Sequence, residues 1–367
     1  MQNRISFCTV CMNRTMHLKE TLHRNILDNI GYDNIEFVLL DYNSKDDLYD
    51  WAQKELQPYI DEGRLTYFHT KDPQFFHMSH SKNMALRLAT GDILCSIDAD
   101  NYTGEGFATY INEIFNKEEH VFMAPPPIGP GRKWWDVQGR VCVRRDDFYA
   151  LRGYDERVID YGYEDKDFKS RLESTGRRRV IIKDQAFLRA ITHDDSLRIA
   201  DGFFTKKSKE LFFSVAGDNT SEIIYLDENN VFERFYVDNN LLVYENDCPE
   251  KIDYFALNLK NIYVGTYKPE DKGLRLYKEN GKELLALTYQ TDDHLIASDH
   301  RDFYRVSACL LRENLLFKRA IYRGKKIFSY NKVNGNMVNG GGFGQGTVYK
   351  NFSDVSIDLD CPTKWLY

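Results

Sequence analysis

The chain has 367 residues, a formal net charge of −7, 42% hydrophobic residues and 29% charged residues. That length accommodates two domains, the composition excludes a disordered polymer, and the acidic balance excludes a broad nucleic-acid footprint, which needs concentrated positive charge. No apolar stretch approaches the roughly 20 residues of a membrane span, and Met1-Gln2-Asn3-Arg4 leads into a strand pattern without the segments of a signal peptide, so the expectation is a cytoplasmic protein with at most peripheral contact at the inner membrane face.

Through the first half, short apolar runs alternate with helical periodicity, the pattern of an α/β layer. Strands are predicted at 5–10, 35–40, 65–69 and 93–97, with helices at 16–27, 48–59 and 79–89, the last closed by Thr90-Gly91. Cys8 and Cys11 have a C-x-x-C spacing but no second pair, so the seven cysteines read as buried thiols rather than as a metal site or a disulfide framework. A Pro-Gly run from Pro125 to Gly131 breaks the pattern and leads into Trp134-Trp135, which reads either as a core anchor or as a lid that stacks on a ligand. After Val141-Cys142-Val143 the chain turns through Arg152-Gly153-Tyr154-Asp155-Glu156 toward Glu164-Asp165, and a helix is predicted at 166–173. Arg177-Arg178-Arg179 reads first as a solvated helix end and second as a contact for an anionic substrate or membrane. From about residue 208, β-rich runs at 223–226, 231–237, 241–244, 262–267, 284–289 and 326–330 are separated by Asn- and Gly-containing turns. Asn339 to Gly346 is dense in glycine but lacks the strand-to-helix setting of a dinucleotide fingerprint, so a flexible turn is expected.

Strand-end carboxylates carry the chemistry. In open α/β sheets ligands bind beyond the carboxyl ends of the strands, so Asp41 and Asp98-Ala99-Asp100 should converge on one crevice. Two carboxylates there can hold a divalent cation against a diphosphate, and the later pair Glu164-Asp165 can deprotonate an acceptor. Asp41 could accept from a uracil N–H, while Asn43 and Ser44 either hold the ribose or cap the next helix. Lys82 and Asn83, at a helix start, offer a cation and an amide near the diphosphate.

In that order, Asn13-Arg14, Asp41-Tyr42-Asn43-Ser44, Lys82-Asn83-Met84-Ala85, Gly91-Asp92 and Asp98-Ala99-Asp100 resemble the family 2-like inverting glycosyltransferases of the GT-A fold. Gly153-Tyr154-Asp155-Glu156 and Tyr161-Gly162-Tyr163-Glu164-Asp165 are similar to the carboxy-terminal catalytic segment of the β-1,4-galactosyltransferases and polypeptide N-acetylgalactosaminyltransferases. The resemblance covers about residues 4 to 200. It implies a metal-dependent hexosyltransferase using a UDP-sugar, with Mn2+ or Mg2+ held by Asp100 and His193, Asp98 beside the ribose, and Asn13 and Arg14 on the nucleotide. It also implies Asp165 as general base and Glu164 as the residue that holds the acceptor sugar. Tyr161 stands where many relatives have Trp, and Trp134 and Trp135 are expected to close over the donor and build part of a glycan acceptor site.

The expected architecture is α/β, a GT-A domain over 1–207 followed by a smaller β-rich accessory domain over 208–367, which could serve as a homo-oligomer interface. Two other readings compete. One is a carbohydrate-binding scaffold with an inactive transferase domain. The other, a sugar nucleotidyltransferase, lacks the Gly-rich phosphate loop expected between Ile5 and Thr15.

Overall fold

The computed structural model describes residues 2–246, 257–335 and 337–359, and the chain divides into two compact units. The first takes in residues 1–193 and 324–367, the second residues 194–323. Cys248 and Cys361 lie outside the described residues; Cys8, Cys11, Cys95 and Cys142 are buried free thiols.

In the first unit the strands are β1 (Ile5–Cys11), β2 (Ile35–Tyr42), β3 (Leu65–Thr70), β4 (Ile93–Ser96), β5 (Asn101–Tyr102), β6 (Val121–Ala124), β7 (Cys142–Arg144), β8 (Arg178–Ile181) and β9 (Arg189–Ala190). Side chains alternate across a strand, and β1 shows the result: Ile5, Phe7 and Cys11 enter one core while Cys8 enters the other. Both faces are therefore apolar, so these strands read as continuous hydrophobic runs, as strands buried on both sides do. Strands β3, β2, β1 and β4 run parallel, and β7 is inserted antiparallel between β4 and β6. Strands β5 and β9 form a separate two-stranded ribbon.

The second unit holds β10 (Ser208–Gly217), β11 (Thr220–Asp227), β12 (Val231–Val237), β13 (Leu259–Glu270), β14 (Gly273–Lys278), β15 (Glu283–Thr291), β16 (His294–Ala297) and β17 (Asp302–Arg305). Each pairs antiparallel with the next, and β10 pairs with β17, closing a barrel that leaves no free edge. Phe212, Ile224, Phe232, Leu276, Leu295 and Phe303 fill one core of this unit. The β-rich reading is thus a closed barrel.

Two predicted strands are helical. Residues 241–244 belong to the helix Leu241–Asn246, and residues 326–330 lie inside the long helix Cys309–Asn334. A short apolar run does not distinguish strand from helix by itself. The long helix buries Leu311, Leu315, Leu316 and Ala320, at helical spacing.

The tail also departs from the expected division at residue 207. After the long helix the chain adds β18 (Thr347–Lys350) and β19 (Ser356–Asp358), which extend the first unit's sheet at β3, so the sheet order is β19-β18-β3-β2-β1-β4-β7-β6-β8. Val348 and Leu359 are buried in the same core as Cys8. Nor is the glycine-rich run a free turn. Arg87 donates to the carbonyls of Phe343, Gly344 and Leu359, and Gly344 lies so close to the backbone of Asn83 and Met84 that a β-carbon would collide with it.

Among the described residues, no helix is long and apolar enough to cross a membrane.

Candidate active site

The strand β4 ends one residue before Ile97-Asp98-Ala99-Asp100, and the ribbon β5–β9 does the rest. Asn101 pairs with Ala190, and the Ile191 N–H donates to the Asp100 carbonyl at 2.8 Å, so residue 193 is carried beside residue 100. His193 Nε2 and Asp100 Oδ2 are 2.9 Å apart. The His193 ring stacks on His17, with centroids 5.3 Å apart. Burial lowers the pKa of His17, against the opposing pull of Asp100 and with the help of His193 and Arg14, which places the Arg14 charge near this cluster. From the helix Thr15–Asp28, Thr21 and Asn25 donate to the carbonyls of Ala99 and Asn101, holding the turn in place.

Lys82 links this turn to the second acidic cluster. It sits in the helix Met78–Leu88, 5% exposed, with Nζ 2.8 Å from Asp165 Oδ1, 3.1 Å from Glu164 Oε1 and 4.0 Å from Asp98 Oδ1. Carboxylates more than sixty residues apart in sequence thus share one buried ammonium. Burial alone would lower the lysine pKa, but Asp165, Glu164 and Asp98 together raise it well above its ordinary value. Burial likewise pushes Asp165 up, yet Lys82 and Lys169 bring it below the ordinary carboxylate range. Glu164 is raised to about 7, by burial first and by the Asp165 charge second. Asp98 is raised to about 6 by burial, which the Lys82 charge opposes without cancelling, while Asp165 and Asp100 add repulsion.

The nucleotide residues of the expected crevice form a laced pair of loops. Asp41, 4% exposed, accepts from the Ser44 N–H at 2.7 Å and from the Tyr67 hydroxyl at 2.8 Å. Ser44 Oγ accepts from the Asn13 N–H, and Asn13 Oδ1 accepts from the Lys45 N–H. Asn43 donates to the Pro73 carbonyl, and both Asn13 and Asn43 have positive φ, which asparagine tolerates.

Asn83, expected near the diphosphate, has its side-chain bonds within the protein. It is wholly buried, donates to the Tyr154 carbonyl and Glu156, and accepts from the Tyr154 N–H. One helical step from Lys82, it faces away from the carboxylates and fixes the turn that leads to Glu164.

Trp134 and Trp135 lie half-buried on the loop after Gly131, with Lys133 and Arg132 each 4.6 Å from the respective ring, and Trp134 also packs against a core. The core contact of Trp134 is the one the core-anchor reading expects. Tyr161 is half-buried on the bend before Glu164.

Three groups escaped the sequence reading. Lys169, on the helix of Glu164 and Asp165, donates to both the carbonyl and side-chain oxygens of Gln138, tying that helix to the tryptophan loop. Gly139 approaches Asp98 so closely that any β-carbon would overlap its carboxylate. Arg140, wholly buried, donates to Asn101 Oδ1 and to the Tyr102 carbonyl. A lysine inside an acidic helix start and a Gly-Arg dipeptide give no local signal of such roles. Arg177, Arg178 and Arg179 are ion-paired to Asp147, Glu118 and Glu173.

Among the described residues, no three His, Cys, Asp or Glu side chains are grouped so that they could hold a metal ion by themselves. Asp100 and His193 supply one oxygen and one nitrogen donor, a pair that fits manganese or magnesium only when a ligand supplies further oxygens, as a diphosphate would. A cavity of about 180 Å³ in the second unit, lined by Tyr225, Asp227, Glu233, Arg319 and others, contains none of the expected site residues.

The model of glycosyl transferase family 2 matches residues 6–183, just under half the chain. Among solved structures, the mannosyltransferase PcManGT from Pyrobaculum calidifontis, in complex with GDP-Man and Mn2+, is 21% identical with a TM-score of 0.42, over 50% of this chain and 56% of that one. S. aureus TarS in complex with UDP is 14% identical with a TM-score of 0.42, over 52% of this chain and 61% of that one. A Drosophila β1,4-galactosyltransferase 7 in complex with manganese, UDP-Gal and xylobiose is 14% identical with a TM-score of 0.38, over 53% of this chain and 73% of that one. The chain thus spans less than two thirds of the first two. No curated protein matches it.

Proposed function

Since residues 6–183 match the model of glycosyl transferase family 2, we propose that the first unit is a transferase domain of that family and that the chain moves a hexose or N-acetylhexosamine, with inversion, from a UDP-sugar to a hydroxyl of a glycan acceptor. The observation that carries this reading is the single buried ammonium of Lys82 between Asp98, at the strand end, and the Glu164-Asp165 pair.

Inversion requires one in-line displacement. The acceptor oxygen forms a bond to the anomeric carbon as the bond from that carbon to the diphosphate breaks. The bonding electrons leave with UDP, and the acceptor proton goes to a carboxylate. Asp165 suits that role because Lys82 keeps it ionised, whereas Glu164, with its pKa near neutrality, suits holding an acceptor hydroxyl. Asp100 and His193 would hold Mn2+ or Mg2+, which when bound neutralises charge on the departing diphosphate. Asp98 would orient the ribose, and Asn13, Arg14, Asp41 and the 43–45 loop would line the nucleotide. Trp134, Trp135 and Tyr161 would give the acceptor sugar apolar faces to stack on and exclude water.

Replacing Asp165→Asn tests the assignment. Transfer from UDP-sugars should fall by at least a thousandfold, while UDP binding measured by calorimetry with manganese stays within a fewfold of the parent. A fully active variant, or a product that retains the donor's anomeric configuration by NMR, would sink it.

A further inference from the structure

From Asn314 to Ser353 the sequence holds no Asp or Glu, although the chain as a whole carries −7. Seven Lys and Arg lie in that stretch, and three of them stand on the end of the long helix that belongs to the first unit. On that end Gly324, Phe328 and Asn331, at helical spacing, face the protein. Gly324 abuts the Gly162 carbonyl, the Phe328 ring lies 5.7 Å from that of Tyr163, and Asn331 donates to Asp155 and Asp167. The flank and the opposite face carry Lys325, Lys326 and Lys332, all exposed. Between and just beyond them stand Tyr330, Val333 and Met337, which are 57%, 82% and 89% exposed.

We propose that this face docks the protein on a bilayer rich in anionic headgroups. The argument is charge complementarity joined to apolar exposure. Lysines beside a surface of anionic lipid are attracted strongly, and a valine and a methionine that lie almost fully in water have an apolar boundary layer to enter. A soluble polyanion would satisfy the lysines but gain nothing from Val333 or Met337, so the lipid surface is the better fit. The exposed Lys166 adds positive charge beside the same helix end, whereas Arg157, 5.5 Å from the Tyr330 ring, is paired with Asp155. The docked face is one helix thickness, about 10 Å, from the segment that carries Glu164 and Asp165. A bilayer there would present acceptors anchored in it close to that segment.

The test uses the full chain and sedimentation with vesicles, so it reads binding without reference to transfer. The parent should sediment with phosphatidylglycerol–phosphatidylcholine vesicles and stay in solution with phosphatidylcholine alone. Replacing K325E, K326E and K332E together should weaken the anionic-vesicle association by on the order of a hundredfold or more. V333D should weaken it severalfold even at a salt concentration that screens the lysines. Thermal melts confirm that each variant is folded, and if the triple variant is not, the single K332E, expected to lose about fivefold, decides. Sedimentation unaffected by these changes would overturn the proposal. Binding to soluble polyphosphate without binding to anionic vesicles would overturn it as well.

Discussion

Glu164 and Asp165 are neighbours that share one lysine, yet their surroundings separate them. Asp165 has the shorter contact to Lys82, at 2.8 Å against 3.1 Å, and also feels Lys169, so its charged form is favoured. Glu164, with its side chain 5% exposed against 14% for Asp165, is pushed up by burial first and by the Asp165 charge second, and its pKa rises to about 7. Such divergence assigns different proton states to two carboxylates at one pH. It also has a consequence for stability. A carboxyl that binds its proton more tightly when folded contributes stability that is complete below its unfolded pKa and is lost as pH rises through the folded value. For Glu164 that window runs from the ordinary carboxylate range to about pH 7. Replacing Glu164→Gln should remove the titration, so the melting temperature of the variant should fall by several degrees less than that of the parent between pH 5 and 8. Parallel melting curves across that range would contradict the assignment. The strand-end acids could be read from the sequence because polar residues that close an apolar run stand out. Lys82 could be assigned only to a diphosphate, since the two carboxylates it bonds most closely, Glu164 and Asp165, lie more than eighty residues further on.

Among the elements, the ribbon β5–β9 and the long helix show what periodicity misses. The ribbon is two residues on each strand, too short for any alternation, yet it brings Asp100 and His193 together. Only the family resemblance suggested that pairing. The helix was obscured because its run 326–330 is apolar and aromatic, a composition that also suits a strand. Its buried Asn331 donates to Asp155 Oδ2 at 2.7 Å and to Asp167 Oδ1 at 2.9 Å, and accepts from Arg157. Asp155 and Asp167 are almost fully buried, so each depends on partners in the protein. Asn331→Ala would leave both short of a donor at a cost of about 2 kcal/mol or more, lowering the melting temperature by several degrees. Because Asp167 lies in the first turn of the helix that begins with Glu164 and Asp165, kcat should fall while the KM for donor changes little. A loss of stability with kcat intact would make the bridge structural only. Asn331→Asp, which puts a third carboxylate among the two, should be worse than Ala on both measures.

For the molecule as a whole, the unexpected feature is that the first unit is discontinuous. The turn from α/β to β-rich patterning is visible in the sequence near residue 208, but nothing in the pattern of 324–359 says that it rejoins the earlier sheet. Strands β18 and β19 are four and three residues long, and their partner is nearly three hundred residues away. Contacts of that range leave no local trace. They are nevertheless substantial. Val348 and Leu359 are fully buried, and burying such side chains contributes about 1.5–3 kcal/mol each. Arg87 donates to three carbonyls of the same segment, and Asn339 bridges Arg152, Tyr154 and Glu156. Together these rival the roughly 5–15 kcal/mol by which a domain is stable at all. A chain ended at residue 207, the boundary that composition suggests, should therefore fail to fold cooperatively. It would lose both strands, leave β3 as an open edge, and strip Asn83 and Glu156 of the strap that holds them beside Lys82. The expected outcome is aggregation on expression, or a melt without a sharp transition and no UDP-dependent stabilisation. A soluble 207-residue chain that melts as steeply as the full protein and is stabilised by UDP with manganese would show that the returning segment is dispensable to the unit it joins.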